Sequence, residues 1–187
     1  MPAFWIDDYE VTNQQYARFV AETGHPPPPY WNGLAPPAGR DRHPVTNVSY
    51  NDAAAYTAWA GKMLPTEAQW LRAFRGDTEL LYPWGNDWRS QPANTFQNPA
   101  FAVGTSAVEE SPSDRSALGV HNLVGNVCEL IRDRDNFSGR SRCVVKGSDT
   151  GSNGDLFGVA PARRLIAPDD IEQAAVGFRC VLEEPAR

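Results

Sequence analysis

Three helix start signals in the first part of the chain limit what it can fold into. Each is a capping box, in which a Ser or Thr hydroxyl accepts a hydrogen bond from the backbone three residues later and the side chain there reaches back. The boxes occupy residues 12–15, 49–52 and 66–69. An amphipathic segment follows each box, and glycines stand at the ends of the segments, at Gly24, Gly61 and Gly76. The pattern predicts helices over residues 12–23, 50–60 and 67–75.

Beyond Gly76 the chain offers only short strand-like runs separated by turn residues. The candidate strands are Phe4–Ile6, 102–103, 127–132, 143–146 and 176–182. The 187 residues include 15 glycines and 16 prolines, which favours turns over long elements. We therefore expect one α+β domain over residues 1–187, with low regular secondary structure, two or three helices and short antiparallel strands. A long helical bundle is excluded.

Charge and cysteine usage exclude several partners and compartments. The formal net charge of −6 would repel a polyanion, so no nucleic-acid partner is expected. No apolar run approaches the length of a membrane span, and the first residues lack a basic stretch followed by an apolar one, so no membrane partner is expected. Three cysteines cannot all pair within one chain. A reducing compartment fits this count, and we predict a cytoplasmic location.

Known catalytic motifs are missing from the sequence. It contains no phosphate-binding loop, His-Glu-x-x-His, Cys-x-x-Cys or Gly-x-Ser-x-Gly motif. The three histidines are far apart and look structural. Cys128 and Cys180 lie in apolar strand-like contexts typical of inert packing, whereas Cys143 lies beside Arg140 and Arg142, which could lower its pKa.

Several ordered phrases nevertheless resemble one family over nearly the whole chain. They are Phe-Trp-Ile-Asp-Asp-Tyr-Glu-Val-Thr-Asn (4–13), His-Pro-Val (43–45), Val-Ser-Tyr (48–50), Leu-Pro-Thr-Glu-Ala-Gln-Trp (64–70), Tyr-Pro-Trp-Gly-Asn (82–86), Gly-Asn-Val (125–127) with Glu129, and Gly-Phe-Arg (177–179). In this order they are similar to the formylglycine-generating enzymes, also called the sulfatase-modifying-factor family. The resemblance implies a variant of the C-type lectin-like fold. Within it, we expect Arg179 to pair with a carboxylate.

The resemblance also exposes a difference in the expected active site. Family enzymes bind copper through two cysteines shortly before the Gly-Phe-Arg phrase, at positions that fall near Asp155 and Ala160. The chain has no cysteine between Cys143 and Cys180. Soft Cu(I) requires thiolate ligands, so we expect no copper, no catalytic residue and no oxidation of a substrate cysteine. The alternative is an oxidoreductase of this family with an altered metal site.

Calcium is a second cofactor that the resemblance implies. In relatives, the Gly-Asn-Val stretch supports a structural calcium ion through backbone carbonyls and a glutamate that maps to Glu129. Another calcium site uses an asparagine that maps to Asn94. Glu129 supplies one of the oxygens that calcium prefers. The alternative is that Glu129 simply pairs with an arginine.

Relatives that lack the cysteines are often binding modules, including the variable proteins of diversity-generating retroelements and the sensor domains of larger proteins. Residues 148–176 would then display an adaptable surface to a protein or other macromolecular ligand. The candidate ligand-binding residues are polar and turn-forming, with two apolar anchors: Ser148, Asp149, Thr150, Ser152, Asn153, Asp155, Leu156, Phe157, Asp169, Asp170, Glu172 and Gln173. An ordinary hydrophilic loop remains the alternative. The chain also looks like a module that can be part of a longer multidomain protein.

Overall fold

The computed structural model describes residues 2–78, 80–88, 93–98, 101, 104–137, 139–152, 164–170 and 175–184. Its helices are α1 (Asn13–Thr23), α2 (Tyr50–Trp59) and α3 (Glu67–Arg75). In each, the hydroxyl of the N-cap residue accepts from the third helical N–H at 3.2 Å, and the side chain there bonds back to the cap. The three predicted helices are confirmed because these signals are local.

The strands are β1 (Phe4–Ile6), β2 (Cys128–Phe137), β3 (Arg140–Lys146), β4 (Arg164–Ala167), β5 (Val176–Gly177) and β6 (Val181–Glu183). β1 and β6 form an antiparallel pair. The other four form a sheet in the order β4-β3-β2-β5, antiparallel except for the parallel pair β2–β5. None of the helices in the described part of the chain is long and apolar enough to cross a membrane.

Three of the predicted strands and one predicted loop need correction. The run 143–146 is part of a longer strand, since β3 begins at Arg140. The run 127–132 continues to residue 137, because β2 keeps pairing with β3 past a register shift between Ile131 and Arg134. The predicted strand 176–182 is two short strands, since residues 178–180 leave the sheet and bury Phe178 and Arg179. The predicted display segment 148–176 contains β4, which pairs with β3. The candidate strand 102–103 lies outside the described residues.

The four-stranded sheet is covered on both faces. The cross-strand pair Leu130 and Val145 belongs to the core cluster that includes the apolar residues of α1 and α2. The next pair, Ile131 and Val144, belongs to the cluster around Trp70 of α3. Successive strand residues point to opposite faces, so α1 and α2 pack on one side and α3 on the other. The predicted α+β class is confirmed.

Candidate functional site

The structure describes half of the predicted ligand-binding residues. Six of the twelve lie outside the described residues: Asn153, Asp155, Leu156, Phe157, Glu172 and Gln173. The other six lie in two short segments, residues 148–152 and 169–170. Each segment is attached to a different part of the scaffold.

The first segment is a tight turn after β3. Asp149 Oδ1 accepts from the backbone of Gly151 at 2.9 Å and from Ser152 Oγ at 3.0 Å, while Ser152 N donates to Asp149 O at 3.0 Å. Thr150 is half-buried at its tip. Ser148 is fully buried, and its hydroxyl accepts from Gly125 N at 2.9 Å. We therefore remove Ser148 from the candidate surface, because its side chain supports the backbone beneath the turn.

The second segment lies against α2. The backbone oxygen of Asp169 accepts from Tyr50 N at 3.0 Å, and its carboxylate pairs with Arg134. Arg134 also stacks over the Tyr50 ring, 4.5 Å from the centroid. Asp170 is exposed and lines a pocket at the start of α2. Asp169 is in an ion pair, whereas the carboxylate of Asp170 forms no ion pair with any of the described residues.

The three cysteines are buried thiols that form no disulfide bond with one another. Cys143 Sγ donates to the backbone oxygens of Ala167 and Pro168, each at 3.2 Å. Burial raises the pKa of Cys143, and the charge of Asp169 adds to the rise while Arg134 opposes it. The predicted lowering of this pKa by Arg140 and Arg142 is wrong, because neighbours along a strand face the opposite side. Burial likewise raises the pKa of Cys180, and Asp7 raises it further.

A fully buried ion pair joins β2 to the segment between β5 and β6. Arg179 donates through Nε to Glu129 Oε2 at 2.8 Å and through a terminal nitrogen to Oε1 at 2.7 Å. Trp70 Nε1 donates to the same Oε2 at 2.9 Å. The remaining Arg179 donors reach the backbone oxygens of Asp7, Asp8 and His121. The expected pairing of Arg179 with a carboxylate is confirmed, and its partner is Glu129.

Two further buried carboxyl groups adjoin this ion pair. Glu10 accepts from the side-chain amides of Asn122 and Asn126, each at 2.9 Å. Burial raises the pKa of Glu10 to about 7; Arg179 opposes the rise, and Glu129 adds to it. Burial also raises the pKa of Asp114 well above its ordinary value, and Glu10 adds to the rise. Neither carboxyl oxygen of Asp114 has a hydrogen-bond partner at good geometry. The backbone N–H of Val124 still interacts with this group and opposes part of the rise in its pKa.

These groups bear on the calcium prediction. Within the described ranges, no three His, Cys, Asp or Glu side chains lie close enough to share one ion. The amide oxygen of Asn122 is buried without a partner beside Glu10. Both oxygens of Glu129 already accept from Arg179 and Trp70, so a hard cation near it would take most of its ligands from amide and backbone oxygens, and calcium at Glu129 stays a prediction. Asn94 uses its side-chain nitrogen on Gly104 O and Ser106 Oγ, and calcium at Asn94 stays a prediction.

The buried Glu10 predicts a pH dependence of folding in the metal-free protein. Its folded pKa of about 7 exceeds its ordinary value of 4.5, so the folded state binds the proton more tightly than the unfolded state. The contribution of protonated Glu10 to stability is then fully present below pH 4.5, and about 3 kcal/mol of it is lost as the pH rises to 7. Urea unfolding in a chelator across this window measures the loss. Glu10→Gln should shrink the slope, and an unchanged slope would contradict this assignment.

Comparisons with known proteins agree with this architecture. Residues 1–184 match the family model of the sulfatase-modifying factor enzyme 1-like domain. The formylglycine-generating enzyme of Thermomonospora curvata is 29% identical over 248 residues, covering 96% of this chain and 82% of that protein. The inactive C-alpha-formylglycine-generating enzyme 2 of Bos taurus is 32% identical over 167 residues, covering 81% of this chain and 55% of that protein.

The fold is also similar to that of a solved structure. Treponema denticola variable protein 1 has a TM-score of 0.73 and 17% sequence identity, covering 97% of this chain and 84% of that one. At that identity the likeness concerns the fold alone. Together with the family match, it confirms the predicted C-type lectin-like fold of the formylglycine-generating-enzyme type.

Proposed function

Since the chain belongs to the sulfatase-modifying factor enzyme 1-like family, we propose that it is a non-catalytic ligand-binding module built on that scaffold. The observation that carries this proposal is the state of the cysteines. The sequence has none between Cys143 and Cys180, and all three thiols are buried in the core. A thiol with a raised pKa is a poor source of the thiolate that Cu(I) needs. The bovine relative that is named inactive supports the same reading.

The proposed binding surface is the segment from residue 149 to residue 176. Its described parts are held firmly, which supports presentation of side chains to a ligand. The turn at Asp149 is closed by its own hydrogen bonds, and Asp169 is fixed to the start of α2 by Tyr50 and Arg134. The ligand would be a protein or another macromolecule. A retroelement-diversified variable protein and the sensor domain of a larger protein both fit this role.

Calcium is proposed as a structural ion beside Glu129. When bound there, it would add to the charge of Arg179 in offsetting the negative charges of Glu10 and Glu129. Calcium should then flatten the pH dependence of unfolding described above, because the cation favours ionised carboxylates. An identical slope with calcium and with chelator would count against the ion.

The catalytic half of the proposal is tested by product analysis. Purified protein is incubated with Cu(I), oxygen and a cysteine-containing peptide, and the peptide is examined by mass spectrometry for conversion of its cysteine to an aldehyde. We expect no conversion, with the Thermomonospora enzyme as the positive control. Aldehyde formation by this chain would instead support an oxidoreductase with an altered metal site.

The diversified-surface form of the proposal has a genomic test. A reverse transcriptase gene beside this one, with a near-copy of the segment that encodes residues 144–179 differing at adenines, would support it. A neighbouring sulfatase gene would favour an enzyme. Neither result depends on folding or purification of the protein.

A further inference from the structure

A pocket of mixed polar and apolar lining lies between the prolines at positions 26–29 and the N-terminus of α2. Its volume is about 420 Å³, which is within the usual range for a small-molecule site. Asn47, Val48 and Asp52 line it on the α2 side, and the exposed Asp170 lines it as well. The described residues that line it include no lysine or arginine.

Tyr16 is the buried polar group of this pocket. The side chain is fully buried, and its ring stacks on Tyr56 with centroids 5.6 Å apart and meets the edges of Trp31 and Phe178. These contacts fix the ring, and the residue lines the pocket. Its hydroxyl makes no hydrogen bond to the described residues. Burial raises the pKa of Tyr16, and the charge of Asp52 raises it further, so the phenol stays protonated beside that carboxylate.

The walls of the pocket supply hydrogen-bond acceptors in excess. Proline has no backbone N–H, so residues 26–29 offer carbonyl oxygens alone, of which Pro28 O is used by Trp31 N. Asp52 Oδ2 accepts from Ser49 N at 2.8 Å, and Oδ1 lies 2.8 Å from His25 Nε2. Burial alone would raise the pKa of Asp52, but these hydrogen bonds lower it below its ordinary value. Asp52 therefore remains an anion.

An anionic ligand does not suit this site, even though the pocket lies at a helix N-terminus. The dipole of α2 is equivalent to about half a positive charge, whereas Asp52 and Asp170 contribute two negative charges. The first turn is also capped already: Asp52 N donates to Ser49 Oγ, and Tyr50 N donates to Asp169 O. The balance of charge and of hydrogen-bonding groups calls for a ligand that is cationic and rich in N–H donors.

We propose that this pocket binds a protonated primary amine on a short alkyl chain. The ammonium group lies between Asp170 and the Tyr16 hydroxyl, with its three donors directed at acceptors, and the alkyl chain contacts the proline rings. The stiffness of the polyproline segment keeps the pocket open without a ligand. The site does not depend on macromolecule binding by residues 149–176, with which it shares Asp170.

A titration followed by ¹H–¹⁵N NMR tests the proposal, with n-butylammonium chloride as the probe. Sodium butyrate and n-butanol serve as the anionic and neutral analogues of similar size. We expect n-butylammonium to shift the amide signals of Tyr16, Val48 and Asn51, and the two analogues to leave them unchanged. Equal shifts with n-butanol, or shifts confined to other residues, would overturn the proposal.

Two variants test the contacts separately. Asp170→Asn should weaken n-butylammonium binding by about threefold to tenfold, because it removes a charge-assisted hydrogen bond. Tyr16→Phe keeps the ring packing and should weaken binding by about threefold. Glu184→Gln, which removes an exposed charge outside the pocket, is the matched control and should bind as wild type does. Unchanged affinity in both pocket variants, with their melting temperatures preserved, would contradict the site.

Discussion

Arg179→Met is expected to destabilise the protein by about 3–5 kcal/mol, the usual cost of removing one partner from a buried ion pair. Arg179 is fully buried, and its donors satisfy both oxygens of Glu129 and three backbone carbonyls. Without the guanidinium, the buried carboxylate of Glu129 would lose the donors that satisfy both of its oxygens. Chemical denaturation at neutral pH measures the loss.

Two further variants separate charge from packing in this prediction. Arg18→Met removes an arginine whose side chain is 71% exposed, and little change is expected. The double variant Glu129→Gln with Arg179→Met removes both charges. It should recover part of the stability lost in Arg179→Met, because no unpaired charge remains buried at this site. A loss no larger than that of Arg18→Met would contradict the role assigned to Arg179.

Gly125→Ala is expected to cost about 2–4 kcal/mol, through backbone strain and a clash that add together. Gly125 has a φ of +81°, and a Cβ placed there would lie 2.4 Å from the backbone oxygen of Asn94. That oxygen also accepts from Asn126 N at 2.8 Å. This hydrogen bond holds the segments at Asn94 and Gly125 together, so they cannot move apart to relieve the clash. The position is where the loop before β2 crosses the segment that carries Asn94.

Gly39→Ala is the matched control for Gly125→Ala. Gly39 has a similar φ of +77°, but a Cβ there would meet nothing within 4 Å. The control therefore carries the conformational cost alone, of about 1 kcal/mol. The difference between the two free energies of unfolding isolates the clash. Equal costs would mean that the close approach at Asn94 relaxes without penalty.

The sequence predicted the helices well because each start signal depends on residues three apart. It missed β4, since Arg-Leu-Ile-Ala has no alternating pattern: Leu165 and Ile166 are both partly exposed, at 38% and 42%. Only the pairing with β3 identifies this strand. Strand assignment here depends on contacts that a local pattern does not contain.

The buried carboxyl groups of the candidate site also depend on contacts between segments that are far apart in the sequence. Glu10 bonds to Asn122 across 112 residues of sequence. Nothing near Glu10 along the chain marks it as buried, apart from its position between an apolar run and the first capping box. The pairing of Arg179 with a carboxylate follows from the residues of the Gly-Phe-Arg phrase, although the sequence does not identify the partner. The participation of Glu10 and Asp114 became visible once the fold brought these segments together.

The central claim is that the chain keeps the family scaffold without a thiolate site for copper. A Cu(I) titration in competition with a chromogenic chelator tests it most directly, with the Thermomonospora enzyme as the positive control. We expect this protein to leave the Cu(I) with the chelator, because its cysteines are buried and those at 143 and 180 have raised pKa values. One equivalent of Cu(I) taken from the chelator, and lost in Cys143→Ala or Cys180→Ala, would contradict the account.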